Sequence, residues 1–257
     1  MESTLSVRKE EAHKRDLTLL YMMYKYRALT TDQVAKIRKL GKWYVYDKLQ
    51  NLRNKGFIYS ETIKGNYIPN QRRQGSYHRI SGKGISLLKK NGFRCDNTTD
   101  ELRVSKYRLP YLLTATDLYL SLEESGWKYL DSRAVKKYYG LNRNDLLQGA
   151  LISPTGKEYA LYILFKKVQK NTLYRIKREI KRSRFNDVLV TTRGSDSFQA
   201  VYNSFTDKNN KLIKGGSIKI LPFRFAQSYL RLSSDVPEFH KQLINAMHID
   251  ILSDQPS

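Results

Sequence analysis

Leu29-Thr30-Thr31-Asp32-Gln33-Val34-Ala35-Lys36-Ile37 and, after the break Lys39-Leu40-Gly41, Lys42-Trp43-Tyr44-Val45-Tyr46-Asp47-Lys48-Leu49-Gln50-Asn51-Leu52 are the residues whose reading decides the fold. Thr30 followed three residues later by Gln33 is a capping-box pattern, so a helix starts near Thr31. Val45, Leu49 and Leu52 then recur at helical spacing up to Gly56, a natural helix-ending residue. Two helices across so short a break form a helix-turn-helix signature. Burying Val45, Leu49 and Leu52 turns Trp43, Asp47, Gln50 and Asn54 outward, flanked by Tyr44, Tyr46, Asn51 and Arg53. Side chains of these types at the start of a second helix can read base edges.

Upstream, Leu17, Leu20, Tyr21 and Tyr24 fall at three- and four-residue steps and predict an amphipathic helix over Arg8–Arg27. Downstream, Phe57–Ile63 is rich in strand formers, and Tyr77-His78-Arg79-Ile80 is the expected returning strand. The connection Lys64–Gly75 carries Lys64, Arg72 and Arg73 and no acidic residue, which suits a wing laid along phosphates or into a minor groove. Ser81–Lys90 reads as a closing helix ending at Asn91-Gly92. The polar stretch Asp96–Arg103 is the expected boundary, giving a winged helix-turn-helix domain over residues 1–95 and a second domain over 104–257.

In that second part, Leu109–Gly126 reads as a long helix and Tyr129-Leu130 as the start of a sheet. Leu147–Ile152 and Tyr159–Phe165, joined by Ser153-Pro154-Thr155-Gly156-Lys157, predict a hairpin. A basic helix over Lys170–Arg184, a strand at Val188-Leu189-Val190, a helix over Ser195–Phe205, a strand at Ile218–Leu221 and a last helix over Glu238–Met247 follow. The fold class is therefore α+β, with an N-terminal winged helix and a C-terminal α/β unit ordered hairpin, helix, strand, helix, strand. The charge run on the basic helix leaves two roles open, phosphate affinity or neutralisation of an acidic partner.

The 257 residues carry 47 Lys and Arg against 24 Asp and Glu, a formal net charge of +23. So large an excess points to a polyanionic partner, and nucleic acid leads. No apolar run approaches the roughly 20 residues of a spanning helix. Met1-Glu2-Ser3-Thr4, with Glu10 and Glu11 where an apolar region would fall, does not resemble a signal peptide, so a cytoplasmic location is expected. One cysteine, Cys95, and four scattered histidines supply no zinc cluster. No phosphate-cradling glycine loop is present, so neither metal nor cofactor is expected.

The order Arg15-Asp16-Leu17, Leu29-Thr30-Thr31-Asp32-Gln33, Lys48-Leu49-Gln50-Asn51-Leu52 to Gly56-Phe57, and Arg79-Ile80-Ser81-Gly82-Lys83-Gly84 resembles the plasmid replication-relaxation proteins. That resemblance implies a winged-helix domain followed by a domain similar to the restriction-endonuclease fold, in a bacterial DNA-bound role in replication or mobilisation of plasmids and other mobile elements. A nuclease of that fold needs a carboxylate on the first hairpin strand and an acid-x-Lys pair on the second to hold the metal that activates water. Here Gln148 and Gly149 stand at the first position, and Leu161–Lys167 has no carboxylate. Asp145 and Glu158 are the nearest acids and read as surface residues, so the nuclease-like domain is expected to be inactive and no catalytic residue is assigned. The alternative is an enzyme, a DNA-nicking relaxase or divergent metal-dependent nuclease. A relaxase would need a tyrosine nucleophile, and none of the 19 tyrosines stands out.

The expected activity is sequence-specific binding of double-stranded DNA, as a homodimer on a palindromic site, without a membrane and with a replication or mobilisation protein as further partner. The expected DNA contacts are Thr31, Lys42, Trp43, Tyr44, Tyr46, Asp47, Gln50 and Asn51 from the helices and Lys64, Arg72 and Arg73 from the wing. For Trp43, packing within the domain is an equal alternative. If the wing lies on phosphates, Arg72→Ala combined with Arg73→Ala weakens DNA binding and lowers the slope of log K against log salt by about two units. A filter-binding salt titration measures it, and an unchanged slope removes the wing from the interface.

Overall fold

The computed structural model describes residues 2–63, 75–165, 168–183, 185–193, 195–206 and 217–223, with Ala226 and Leu230. The connection carrying Lys64, Arg72 and Arg73 and the expected helix over Glu238–Met247 lie outside the described residues. The chain is mixed α+β and forms two compact units, Met1–Asp117 and Leu118–Ser257. Among the described residues, no helix is long and apolar enough to cross a membrane.

The first unit opens with α1 (Glu2–Tyr26), which buries Leu17, Leu20, Met23 and Tyr24. A two-residue strand, β1 (Leu29–Thr30), leads into α2 (Thr31–Arg38). The capping box is present: Thr30 Oγ1 accepts from Gln33 N at 3.2 Å, and Gln33 Oε1 accepts from Thr30 N at 3.0 Å. Lys39, in the left-handed conformation at φ 51°, ends α2, and α3 (Lys42–Asn54) begins after Gly41. Gly56, at φ 74°, turns the chain into β2 (Ile58–Thr62), which pairs antiparallel with β3 (Ser76–Ile80) in the register Ile58↔Ile80. β1 pairs with the other edge of β3, so the sheet order is β1-β3-β2.

Ser81 then caps α4 (Gly82–Lys90), accepting from Gly84 N at 3.1 Å while its hydroxyl donates to Gly56 O at 2.7 Å. Gly84 is pressed so close to the α3–β2 turn that a Cβ there would collide with Phe57 O and come within 2.8 Å of Ile80 Cγ1.

The polar stretch expected as a boundary is bound into this unit. Asn97 donates from its backbone and side-chain nitrogens to Tyr24 Oη at 2.9 and 3.0 Å. Thr98 and Glu101 form a second capping box that starts α5 (Thr99–Leu102), a four-residue helix the sequence reading did not contain. The division between units instead falls inside α6 (Leu109–Leu122), after Asp117. Its first half is held by Leu109 and Leu113 in a cluster with Ala28, Ile63 and Tyr77.

The second unit is a five-stranded sheet in the order β4-β5-β6-β7-β8. β4 (Lys128–Asp131), β5 (Gly149–Ile152) and β6 (Glu158–Phe165) are antiparallel, as the expected hairpin requires. β7 (Asp187–Arg193) and β8 (Ser217–Pro222) continue parallel to β6 through α8 (Lys170–Arg182) and α9 (Ser195–Thr206). Between β4 and β5 lies α7 (Ser132–Tyr138), capped by Asp131 and also absent from the sequence reading. Ala160, Tyr162 and Leu164 of β6 meet Leu173, Ile176 and Ile180 of α8 and Val201 of α9 in one core cluster. Leu161 and Ile163, on the opposite face of β6, are also fully buried, as parallel strands in a two-sided sheet require.

Gly84→Ala is expected to destabilise the first unit by about 1–3 kcal/mol, because the methyl must displace main chain rather than a flexible side chain. A lower urea midpoint by circular dichroism checks this; an unchanged midpoint means that the α4 approach is looser than the geometry shows.

Candidate nucleic-acid interface

α3 buries Val45, Leu49 and Leu52 and exposes the rest of its length apart from half-buried Lys48. At the helical repeat the side opposite that apolar stripe carries Trp43, Asp47, Gln50 and Asn54, all exposed. Trp43 is 84 % exposed and takes no part in the core of the unit. Tyr44 and Tyr46 are about half exposed, and Asn51 is exposed as well. The first turns of α3 thus carry three aromatic rings open to water.

Two of the expected contact residues are already engaged. Lys42 forms an ion pair with Asp32 at 2.6 Å across the α2–α3 turn; both groups are solvated, and such pairs contribute little to stability. Thr31 is half-buried, and its Oγ1 lies 3.0 Å from His78 Nε2. Thr31 therefore joins α2 to the middle strand. The sequence reading missed this because His78 is 47 residues away and read as an ordinary strand residue. Lys64, Arg72 and Arg73 lie outside the described residues.

His78 is the polar centre of the small sheet. It is 5 % exposed and holds Ser60 Oγ at 2.8 Å from Nδ1 as well as Thr31. Burial, with the positive charge of Arg53 as a lesser cause, lowers its pKa to about 4. Beside it, Glu61 accepts from Tyr77 Oη at 2.5 Å and from Arg79 Nε at 3.0 Å, while the Arg79 guanidinium lies over the Tyr59 ring at 5.6 Å. Arg79 is thus committed inside the β2–β3 pair. Lys83, on α4, donates to Lys55 O at 2.9 Å and locks the α3 C-terminus against the closing helix.

In the second unit, Gln148, Asp145 and Glu158 are each held by hydrogen bonds. Gln148 Oε1 accepts from Ile163 N at 2.9 Å, and Gln148 N donates to Leu161 O at 2.9 Å, so Gln148 belongs to the β5–β6 ladder. Asp145 is not the surface residue expected but 8 % exposed. Arg182 Nη2 donates to its two oxygens at 2.8 and 2.9 Å, and Asn142 N donates to Oδ2 at 2.9 Å. Glu158 is half-buried and accepts from Tyr139 Oη. Among the described residues, no group of three His, Cys, Asp or Glu is placed to hold a metal ion.

Comparison with known proteins gives no matching family model, no matching curated protein and no matching solved structure for this chain.

The buried imidazole makes the first unit acid-sensitive, with a definite sign. His78 is depressed to about 4 in the folded state against an ordinary value of 6.5, so the unfolded chain takes the proton first. Stability is full above pH 6.5 and is lost as pH falls toward 4. Between pH 7 and 4.5 the native protein is expected to lose roughly 2 kcal/mol more than His78→Gln, which keeps hydrogen-bonding capacity without a titrating group. Urea midpoints at the two pH values measure the difference, and parallel losses would clear His78 of the effect.

Proposed function

We propose that the chain is a sequence-specific double-stranded-DNA-binding protein whose first unit is a winged helix-turn-helix, with α3 as the helix that enters the major groove. The observation that carries this reading is the outward side of α3. Trp43, Asp47, Gln50 and Asn54 project from a helix whose opposite side is locked in the core, directly after α2 and a short turn. A rigid helix with exposed amide side chains suits base-edge readout, since Asn and Gln can bond adenine in two places. Tyr44 and Tyr46 offer hydroxyl donors to phosphates beside the groove. The β2–β3 pair following α3 is the hairpin of the wing, and the net charge of +23 supplies sequence-independent attraction.

The second unit is, in this proposal, a restriction-endonuclease-like fold without its catalytic carboxylates. The hairpin, helix and parallel strand formed by β5, β6, α8 and β7 support it, as do Gln148 in the strand ladder and Asp145 tied to Arg182. With the resemblance to the plasmid replication-relaxation proteins, this points to replication, mobilisation or transcription control on a plasmid or other mobile element, by a homodimer on a palindromic site.

Selection from a pool of random duplexes is expected to enrich one sequence, with half-sites spaced by about one helical turn. Gln50→Ala and Asn51→Ala are each expected to reduce preference for that sequence over random duplex by about 1–3 kcal/mol while leaving the affinity for random duplex near its starting value. Enrichment of no sequence at all would sink the site-specific reading.

A further inference from the structure

The outer side of α8 is a cationic surface that the first unit's function does not use. We propose that it is a second, sequence-independent nucleic-acid contact, which grips the phosphate backbone of duplex DNA. α8 divides cleanly. Leu173, Ile176 and Ile180 enter the sheet core, and Glu179 turns inward to accept from Leu146 N at 2.9 and 2.8 Å. Lys170, Arg175, Arg178, Lys181 and Arg182 are all exposed on the opposite arc, with Tyr174, itself 67 % exposed, among them. At 100° per residue these six positions cover about 140° of the helix surface and extend about 18 Å along it.

The arrangement is rigid as well as charged. Arg182 is held by Asp145, and Arg175 Nη2 donates to Asn144 O at 3.1 Å, so two points of α8 are tied to the α7–β5 connection. Among the described residues, no ion pair joins Lys170, Arg178 or Lys181 to a carboxylate. The only acidic residue of the helix, Glu179, is buried. Duplex DNA presents one negative charge per roughly 1.7 Å of axis, so cations spread over such a length face several phosphates at once. Arginine adds bidentate hydrogen bonding to phosphate oxygens, and the Tyr174 hydroxyl is a further donor. An anionic membrane surface fits less well: an interfacial helix must bury an apolar face in lipid, and the apolar face of α8 is already spent on the sheet.

The test compares the full chain with a triple variant, Lys170→Gln, Arg178→Gln and Lys181→Gln, which spares the two arginines that hold the helix in place. The control, Lys89→Gln, Lys90→Gln and Lys106→Gln, removes the same charge from exposed positions of the first unit. On a random 30-base-pair duplex, the α8 variant is expected to lower the slope of log K against log salt by about 2 to 3 and to weaken binding by roughly tenfold or more at physiological salt. The control is expected to change the slope by less than one. Unchanged melting by circular dichroism shows that the variant is folded.

A slope equal to that of the native protein overturns the proposal. If the triple variant instead loses only its binding to poly-glutamate, the face takes an acidic protein and the DNA assignment is wrong. The result is separable from the reading of α3: a native chain that binds random duplex through α8 yet enriches no sequence upholds this proposal and refutes that one. Uniform loss across all sequences on α8 substitution, with the ratio of specific to random binding retained, upholds both.

Discussion

One buried amide sets the geometry on which the first unit depends. Gln33 is 1 % exposed, and each of its polar side-chain atoms is engaged. Its Oε1 closes the capping box on Thr30 N, while its Nε2 donates to Leu113 O at 2.8 Å and to Asp117 Oδ1 at 2.9 Å. The start of α2 is thereby joined to a helix 80 residues later in the chain. An unsatisfied amide at such a site costs about 1–3 kcal/mol, so these partners act together or not at all. Since α3 follows α2 after only Lys39, Leu40 and Gly41, fixing the start of α2 also fixes the direction in which α3 presents its outer side.

Much of this was legible locally. A capping box spans three residues, and the stripe Val45, Leu49, Leu52 spans two turns, so both α2 and the orientation of α3 follow from spacing alone. The β5–β6 hairpin was equally readable because the Pro154 and Gly156 turn separates two apolar runs. What spacing could not reveal were long-range partners. Nothing near Thr31 announces His78, and nothing near Asp145 announces Arg182, so Asp145 reads as a surface residue although it is buried. α5 and α7 escaped for another reason: at four and seven residues they complete too few turns to impose a period, and their caps at Thr98 and Asp131 are the only local signal. The polar composition of Asp96–Arg103 concealed its attachment to Tyr24, whose hydroxyl is an acceptor that the composition of the stretch itself cannot disclose.

The two units handle charge differently. In the first, Arg79 is paired with Glu61 and Lys83 donates to the Lys55 carbonyl, while Lys89 and Lys90 at the end of α4 stay exposed. In the second, burial concentrates the acids. Asp145, Glu179 and Asp187 are all withdrawn from the surface, and burial raises the Glu179 carboxyl above its ordinary range. These three carboxylates accept hydrogen bonds or ion pairs inside the unit and so add little negative charge to its surface.

The chain has only two tryptophans, and they lie at opposite extremes. Trp43 projects into water from the first unit, whereas Trp127 in the second is 6 % exposed and packs at 5.8 Å from the Tyr159 ring. An indole in water emits at longer wavelength and is open to collisional quenchers; an enclosed one emits to the blue and is shielded. The molecule therefore carries an intrinsic optical label in each half, distinct in colour and accessibility. Changes at the α3 surface and loss of packing in the larger sheet can be followed separately in one unmodified sample.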